Sequence, residues 1–210
     1  MVGGVTTTQS ERPVGLSRPQ AIREVALTLF AERGYTGTSM KDIANVLGIR
    51  APTLYNHLDS KQDLLREIVQ DTIDGLIRVH REAIATTTDV REQLRRAMEA
   101  HVAYHAQHRR EVRIANAEIA SLEEPARTEV LKRHRTYAAA WQELVERGVA
   151  EGHFHVQWPE VATYAMLEMG SGLSLWSPED GSLSPSQIAY CYGDMALRLV
   201  GAAGLHAAVT

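Results

Sequence analysis

The chain has 210 residues, 44% of them hydrophobic, one cysteine and a formal net charge of −4. That length can bury a real core, in one domain or in a small domain fused to a larger one, and the lone Cys191 excludes an intramolecular disulfide and fits a reducing cytoplasm. No apolar run is long enough to span a membrane, the N-terminus lacks the charged-then-apolar order of a secretory signal, and the total charge announces no nucleic-acid partner.

Residues 1–17, MVGGVTTTQSERPVGLS, are polar and without period, and are expected to form a disordered arm. A helix is expected from Pro19, with Ile22, Val25, Ala26, Leu29 and Phe30 on one face and Gly34 as its stop. Ser39 and Asp42 have capping-box spacing and open a short helix whose stripe is Ile43, Ala44 and Leu47, ended by Gly48. Pro52 opens another, over 52–58, that buries Leu54 and Leu58. Ser60 and Asp63 then cap a long helix running to about Ala85. Further helices are expected near 89–107, 110–121, 125–150, 159–175 and 185–202, about nine in all. The breaks between them are TTTD, a bend near His108, EEP, EGHFHVQWP and WSPEDGSLSP. No alternating β-branched run bounded by turns is present, so the fold class is all-α.

The two short helices are too short to stand alone. Joined by a tight turn and held by the helix before them, they make a three-helix, helix-turn-helix domain over 18–66, of the kind that presents its second helix to a DNA major groove. Thr53, Asn56 and His57 lie opposite the buried leucines. Asn and Thr can bond base edges or phosphates, the Tyr55 hydroxyl suits a phosphate, and Lys61 adds charge at a helix N-terminus. Bland readings stand beside these: Tyr55 as packing, His57 as cover for the turn, Asn56 and Arg50 as solvated polar groups. Residues 16–68 carry seven basic and six acidic side chains, a net +1, so DNA affinity needs well-placed contacts and two copies of the domain.

The stretch from Ala26 to Leu65 resembles the TetR family of bacterial regulators. The resemblance is carried by Phe30, Gly34, Thr38, Ile43, Ala44, Gly48, the LYNHL segment, and Lys61 followed by Leu64. Leu58 stands where that family usually has Phe, a swap a core tolerates. The resemblance implies that Thr53, Tyr55, His57 and Lys61 contact DNA, that Thr38 or Ser39 touches a phosphate, and that residues 67–205 form a helical ligand-binding and dimerisation domain. The apolar segments at 159–175 and 185–202 agree: paired with their copies they would form a four-helix dimer interface, with Ala165, Gly170, Gly172 and Ala196 allowing close approach. The expected partners are therefore near-palindromic double-stranded operator DNA, a second copy of the chain and a small hydrophobic effector, with no membrane.

For the effector, His101, Tyr104, Trp141, Met166, Met169 and Trp176 are candidate lining residues, with plain core packing as the alternative. A looser resemblance covers AYHAQHRREVRIANAEIASL and LSLWSPEDGSLSPSQIAYCYGDMALRLVGA. These look like the C-terminal domain of TetR-type repressors of lipid and sterol-ring catabolism, which implies an acyl-CoA thioester, with Arg109, Arg110 and Arg113 meeting its phosphates or simply forming a solvated basic face. The runner-up is a multidrug-type sensor controlling an efflux gene. No cofactor is implied. His101 and His105 are four apart, a spacing able to hold a metal, but no HExxH and no carboxylate at ligand spacing accompanies them, so no metal is assigned. Without GxSxG, GxGxxG, P-loop or CxxC, the chain is not read as an enzyme.

Overall fold

A computed structural model of the chain describes residues 16–176 and 183–202, with the side chains of Leu175 and Trp176 excepted. Most of the expected N-terminal arm, residues 203–205 and the Trp176 side chain therefore lie outside what is described. The described residues form helices α1 (Arg18–Arg33), α2 (Met40–Val46), α3 (Ala51–Leu54), α4 (Lys61–Ile84), α5 (Val90–Gln107) and α6 (Arg109–Glu118). A 3₁₀ turn over Ile119–Ser121 follows, then α7 (Ala126–Ala150), α8 (Pro159–Ser171), the short α9 (Leu173–Trp176) and α10 (Pro185–Leu199). No strand occurs among the described residues.

Local chemistry explains the boundaries. Ser39 caps α2 reciprocally: the Asp42 N–H donates to Ser39 Oγ at 3.2 Å and the Ser39 N–H donates to Asp42 Oδ2 at 2.8 Å. Ser60 accepts from the Asp63 N–H at 3.0 Å to start α4. Gly48, at φ +66, supplies the left-handed residue that turns α2 toward α3. The helix expected over 52–58 is shorter than its pattern: regular helix ends at Leu54, and the chain continues as a turn in which the His57 N–H donates to Leu54 O at 3.0 Å. Asn56, His57 and Asp59 are weak helix formers whose side chains compete for the backbone, and the next cap at Ser60 leaves no room for another turn.

Two cores result. The first joins Ile22, Phe30, Ile43, Leu47 and Leu54 with Leu64, Leu65, Ile68 and Val69 of α4, and with Ile114, Leu122 and Val130 from beyond. The second joins Ile73 and Leu76 of α4 with Leu94, Met98, Val102, Trp141, Val145, Phe154, Met166 and Leu197. α4 thus belongs to both, and crosses the expected boundary at residue 66 as one unbroken helix. α6 adds a second tie: Arg110 donates to Glu24 Oε2 at 2.8 Å and to Thr28 Oγ1 at 3.2 Å, and Glu118 Oε1 accepts from the Tyr35 N–H at 3.1 Å.

Candidate functional site

Leu54 is fully buried and fixes α3 on Ile43 and Leu47, which leaves the opposite side of α3 and its following turn to solvent. Arg50, Tyr55, Asn56 and His57 are all exposed there, and Thr53 is half-buried. Tyr55 is 52% exposed, too open to be a packing residue. Ser39 is exposed at the start of α2, beside the exposed Lys41. Lys41 was not among the sequence candidates; its place in the first turn after the Ser39 cap was the available signal. These exposed residues of α2, α3 and the turn after it offer hydroxyls, an amide, an imidazole and cations, a set able to meet phosphates and base edges.

Two of the expected DNA-contact residues have partners within the chain. Thr38 is 1% exposed, and its hydroxyl donates to Gly34 O at 2.9 Å and lies 3.2 Å from Leu29 O, so it closes the α1–α2 connection and leaves only Ser39 of that pair for a phosphate. Lys61 is not a free cation: its ammonium donates to Tyr35 O at 2.9 Å and Thr38 O at 2.8 Å and sits 4.1 Å from the Tyr35 ring centroid. It staples α4 to the loop that positions α2. Lys61→Met should therefore cost about 1–3 kcal/mol of stability, read as a lower urea midpoint, through loss of charged hydrogen bonds. An unchanged midpoint would return Lys61 to a purely DNA-facing role.

In the second core, polar side chains sit where apolar ones would suffice. His101 is 1% exposed, its Nδ1 lies 2.9 Å from the Tyr137 hydroxyl and its Nε2 3.3 Å from Leu167 O. His105 stacks edge-on against it, ring centroids 4.4 Å apart, with neither nitrogen partnered. His80 of α4 lies 5.0 Å from the Trp141 ring, with its Nε2 also unpartnered. The Trp141 ring lies edge-on to Tyr137, centroids 6.3 Å apart, and its buried indole N–H has no hydrogen-bond partner. Burial pushes His80 and His105 each down to about 4 and His101 well below the ordinary histidine value, so all three rings are neutral at pH 7. Burial likewise holds the Tyr137 phenol protonated.

Of the expected effector residues, His101, Trp141 and Met166 meet in this core, and Met169 packs at its edge. Tyr104 is buried on another side of α5: a Cβ on Gly75 would collide with its ring, so it seals α5 to α4. Arg113 is exposed on α6, and Arg110 is held by Glu24. Arg109 borders a shallow open depression with Ala106, Gln107, Arg110 and Glu111, which none of the expected apolar residues lines. The depression beside the basic run is thus not lined by the Met- and Trp-bearing interior, and of the run Arg110 reaches Glu24 of α1 while Arg113 faces solvent. Sequence reasoning missed His80 and Tyr137. Each repeats a buried period, His80 after Ile73 and Leu76, and Tyr137 four before Trp141. Among the described residues no group of three or more His, Cys, Asp or Glu is placed to hold a metal, and no helix is long and apolar enough to cross a membrane.

Comparison with known proteins agrees with this geometry. Residues 22–68 match the bacterial regulatory proteins of the tetR family, and residues 87–200 match the tetracyclin repressor-like C-terminal domain. The HTH-type transcriptional repressor KstR2 of Rhodococcus jostii (strain RHA1) is 30% identical over 192 residues, 90% of this chain and 93% of that one. The crystal structure of a tetR-family regulatory protein from Rhodococcus RHA1 superposes with a TM-score of 0.82 at 28% identity, covering 90% of this chain and all of the other. AibR, in complex with isovaleryl coenzyme A and operator DNA, gives a TM-score of 0.77 at 27% identity over 89% of this chain and all of its own.

Proposed function

Because the chain belongs to the TetR family of bacterial regulatory proteins, we propose that it represses transcription as a homodimer on near-palindromic operator DNA and leaves that DNA when a hydrophobic small molecule, an acyl-CoA thioester or related acid, binds its C-terminal domain. The observation that carries the DNA reading is the Leu54-anchored α3, which turns Arg50, Tyr55, Asn56 and His57 outward together. The effector reading draws on the likeness to KstR2 and to AibR in its complex with isovaleryl coenzyme A, and on the buried polar rings beside α4. The domain fold supports the mechanism: α4 starts at the DNA-binding core and ends at the effector core, and Arg110 and Glu118 of α6 grip α1 and the loop after it. An effector preferring a conformation in which the two α3 helices no longer match successive major grooves would shift the population. A coupling of about 1–3 kcal/mol weakens operator binding roughly 5- to 150-fold.

The test is fluorescence anisotropy on DNA from the chain's own promoter against random DNA at moderate salt. Tyr55→Phe should lose about tenfold on both, as one phosphate hydrogen bond is worth. Asn56→Ala or Arg50→Ala should relax sequence preference by about 1–3 kcal/mol where either reads a base. Equal wild-type affinity for promoter and random DNA would sink the reading.

A further inference from the structure

Between α4 and α7 lies a cavity of about 280 Å³. Its walls are apolar, from Ile77 and Ile84 on one helix and Ala140 and Leu144 on the other. Its floor is polar: His80, 3% exposed with Nε2 unpartnered, and Tyr137, 5% exposed. From that floor a connected file of buried rings runs inward. His80 lies against Trp141 and Tyr137, Tyr137 bonds His101, and His101 stacks on His105, whose two nitrogens have no partner. At the rim stand Arg81, Arg147 and one lining carboxylate, Glu143, all exposed. Arg147 is tied to Gln93 and lies 4.0 Å from Glu151.

We propose that this cleft, and not the arginine run of α6, admits the effector, and that it selects an amphipathic anion: an apolar chain carrying a neutral oxygen for His80, with its negative head at Arg81 and Arg147. The proposal rests on the effector-release reading above and adds the site and the ligand chemistry to it. A neutral imidazole buried among apolar walls rewards a hydroxyl or keto oxygen that completes its hydrogen bonding, and penalises a bare methylene chain that leaves it unpaired. A carboxylate or ammonium in the same position would lose its hydration without a countercharge. The charged end of the ligand must therefore stay at the rim, where two guanidinium groups face solvent-accessible space and fork geometry suits carboxylate or phosphate alike. The negative head can be a free carboxylate or the phosphates of a coenzyme A thioester. The cleft is small enough that the head of a thioester remains outside.

The experiment is titration calorimetry on the full-length protein with four probes: decanoate, 6-oxodecanoate and the coenzyme A thioester of each. Release of operator DNA is followed in parallel. The oxo compounds should bind about tenfold tighter than their plain counterparts, one buried hydrogen bond's worth. His80→Phe should bring that ratio to about one. Ala140→Trp, which fills the cleft, should weaken all probes at least tenfold and leave operator affinity unchanged; Thr136→Trp at the mouth does the same should Ala140→Trp fail to fold. Arg81→Ala should weaken the free acids alone if a carboxylate is the natural head, and the thioesters alone if phosphates are; a variant that weakens neither removes the head from this rim. Probes that release the operator equally from wild type and the cleft variants overturn this proposal and leave effector release standing; loss of response on Arg113→Ala would then place the site on α6. If no probe binds wild type while operator binding is intact, this ligand class fails together with the cleft.

Discussion

A chain carrying both Val161→Asp and Tyr190→Asp is expected to remain helical, to sediment as a monomer, and to lose operator affinity by about two to four orders of magnitude. α8 and α10 each have two apolar sides. On α8, Ala162, Thr163, Met166 and Gly170 face inward, while Val161 is 65% exposed and Tyr164 51%. On α10, Ala189, Tyr192, Gly193, Ala196 and Leu197 are buried, and α10 runs along α5, while Tyr190 is 61%, Met195 40% and Leu199 44% exposed. Trp158 at the start of α8 is 65% exposed as well. So many large apolar groups on adjoining helices mark an association surface. A two-fold dimer would present each aspartate twice, placing four unpaired charges in the contact, each costing several kcal/mol to desolvate. The monomer then holds one half-site and forfeits the linkage that makes the second domain's binding intramolecular, which is where the 10²- to 10⁴-fold comes from. Light scattering, far-UV circular dichroism and operator titration on one sample decide it. A folded variant that stays dimeric at micromolar concentration removes α8 and α10 from the interface.

The choice of residues in that variant marks where sequence and structure part. The apolar character of 159–175 and 185–202 was legible, and with it the expectation that these helices form a paired surface. Which glycine faces which way was not. Gly170 was expected at the dimer contact, but it lies inside the core, where a Cβ would collide with the His101 ring, and Ala196 is buried within its own subunit. A helix that is apolar all round gives no periodic sign of which side its own chain covers. Helix starts were readable because caps are local chemistry, as with Ser39 and Ser60. The Tyr55, Asn56 and His57 face was readable because Leu54 sets its phase. The occupation of Lys61 by two carbonyls from 23 and 26 residues earlier was not readable, since it depends on the loop between α1 and α2 closing onto α4. The placement of the arginines at 109–113 was not readable for a related reason: adjacency in sequence to a Met- and Trp-bearing domain says nothing about which way α6 is turned.

Acid should unfold the C-terminal domain well before its carboxylates matter, with most of the loss falling between pH 6.5 and about 4. His80 and His105 are buried neutral, each with its value pushed down to about 4, while an imidazole in the unfolded chain titrates near 6.5. The unfolded state therefore binds more protons across that window, and stability falls as pH falls through it; above about pH 6.5 the full contribution is present. Each ring accounts for up to about 3 kcal/mol by this linkage, so the pair alone approaches the whole stability of a typical domain. His101, depressed by burial first and by its neighbour His105 next, and His134, depressed by burial, act in the same direction. Glu99 opposes them: burial raises its value, so the folded state gains a proton earlier than the unfolded one and is favoured as pH drops, but the group is only partly covered and Arg95 offsets the shift. Asp42, Asp89 and Glu124 are held below the usual carboxylate range by hydrogen bonds and lose that support only at pH values under those where the histidines have already titrated. Urea midpoints measured from pH 7.5 to 4.5 should fall steeply in wild type. The double variant His80→Phe, His105→Phe, which keeps ring volume and removes both titrating sites, should flatten the slope by at least half. A slope as steep in that variant as in wild type would show that the acid response lies in other groups, and that the buried rings of the second core are protonated at no cost to the fold.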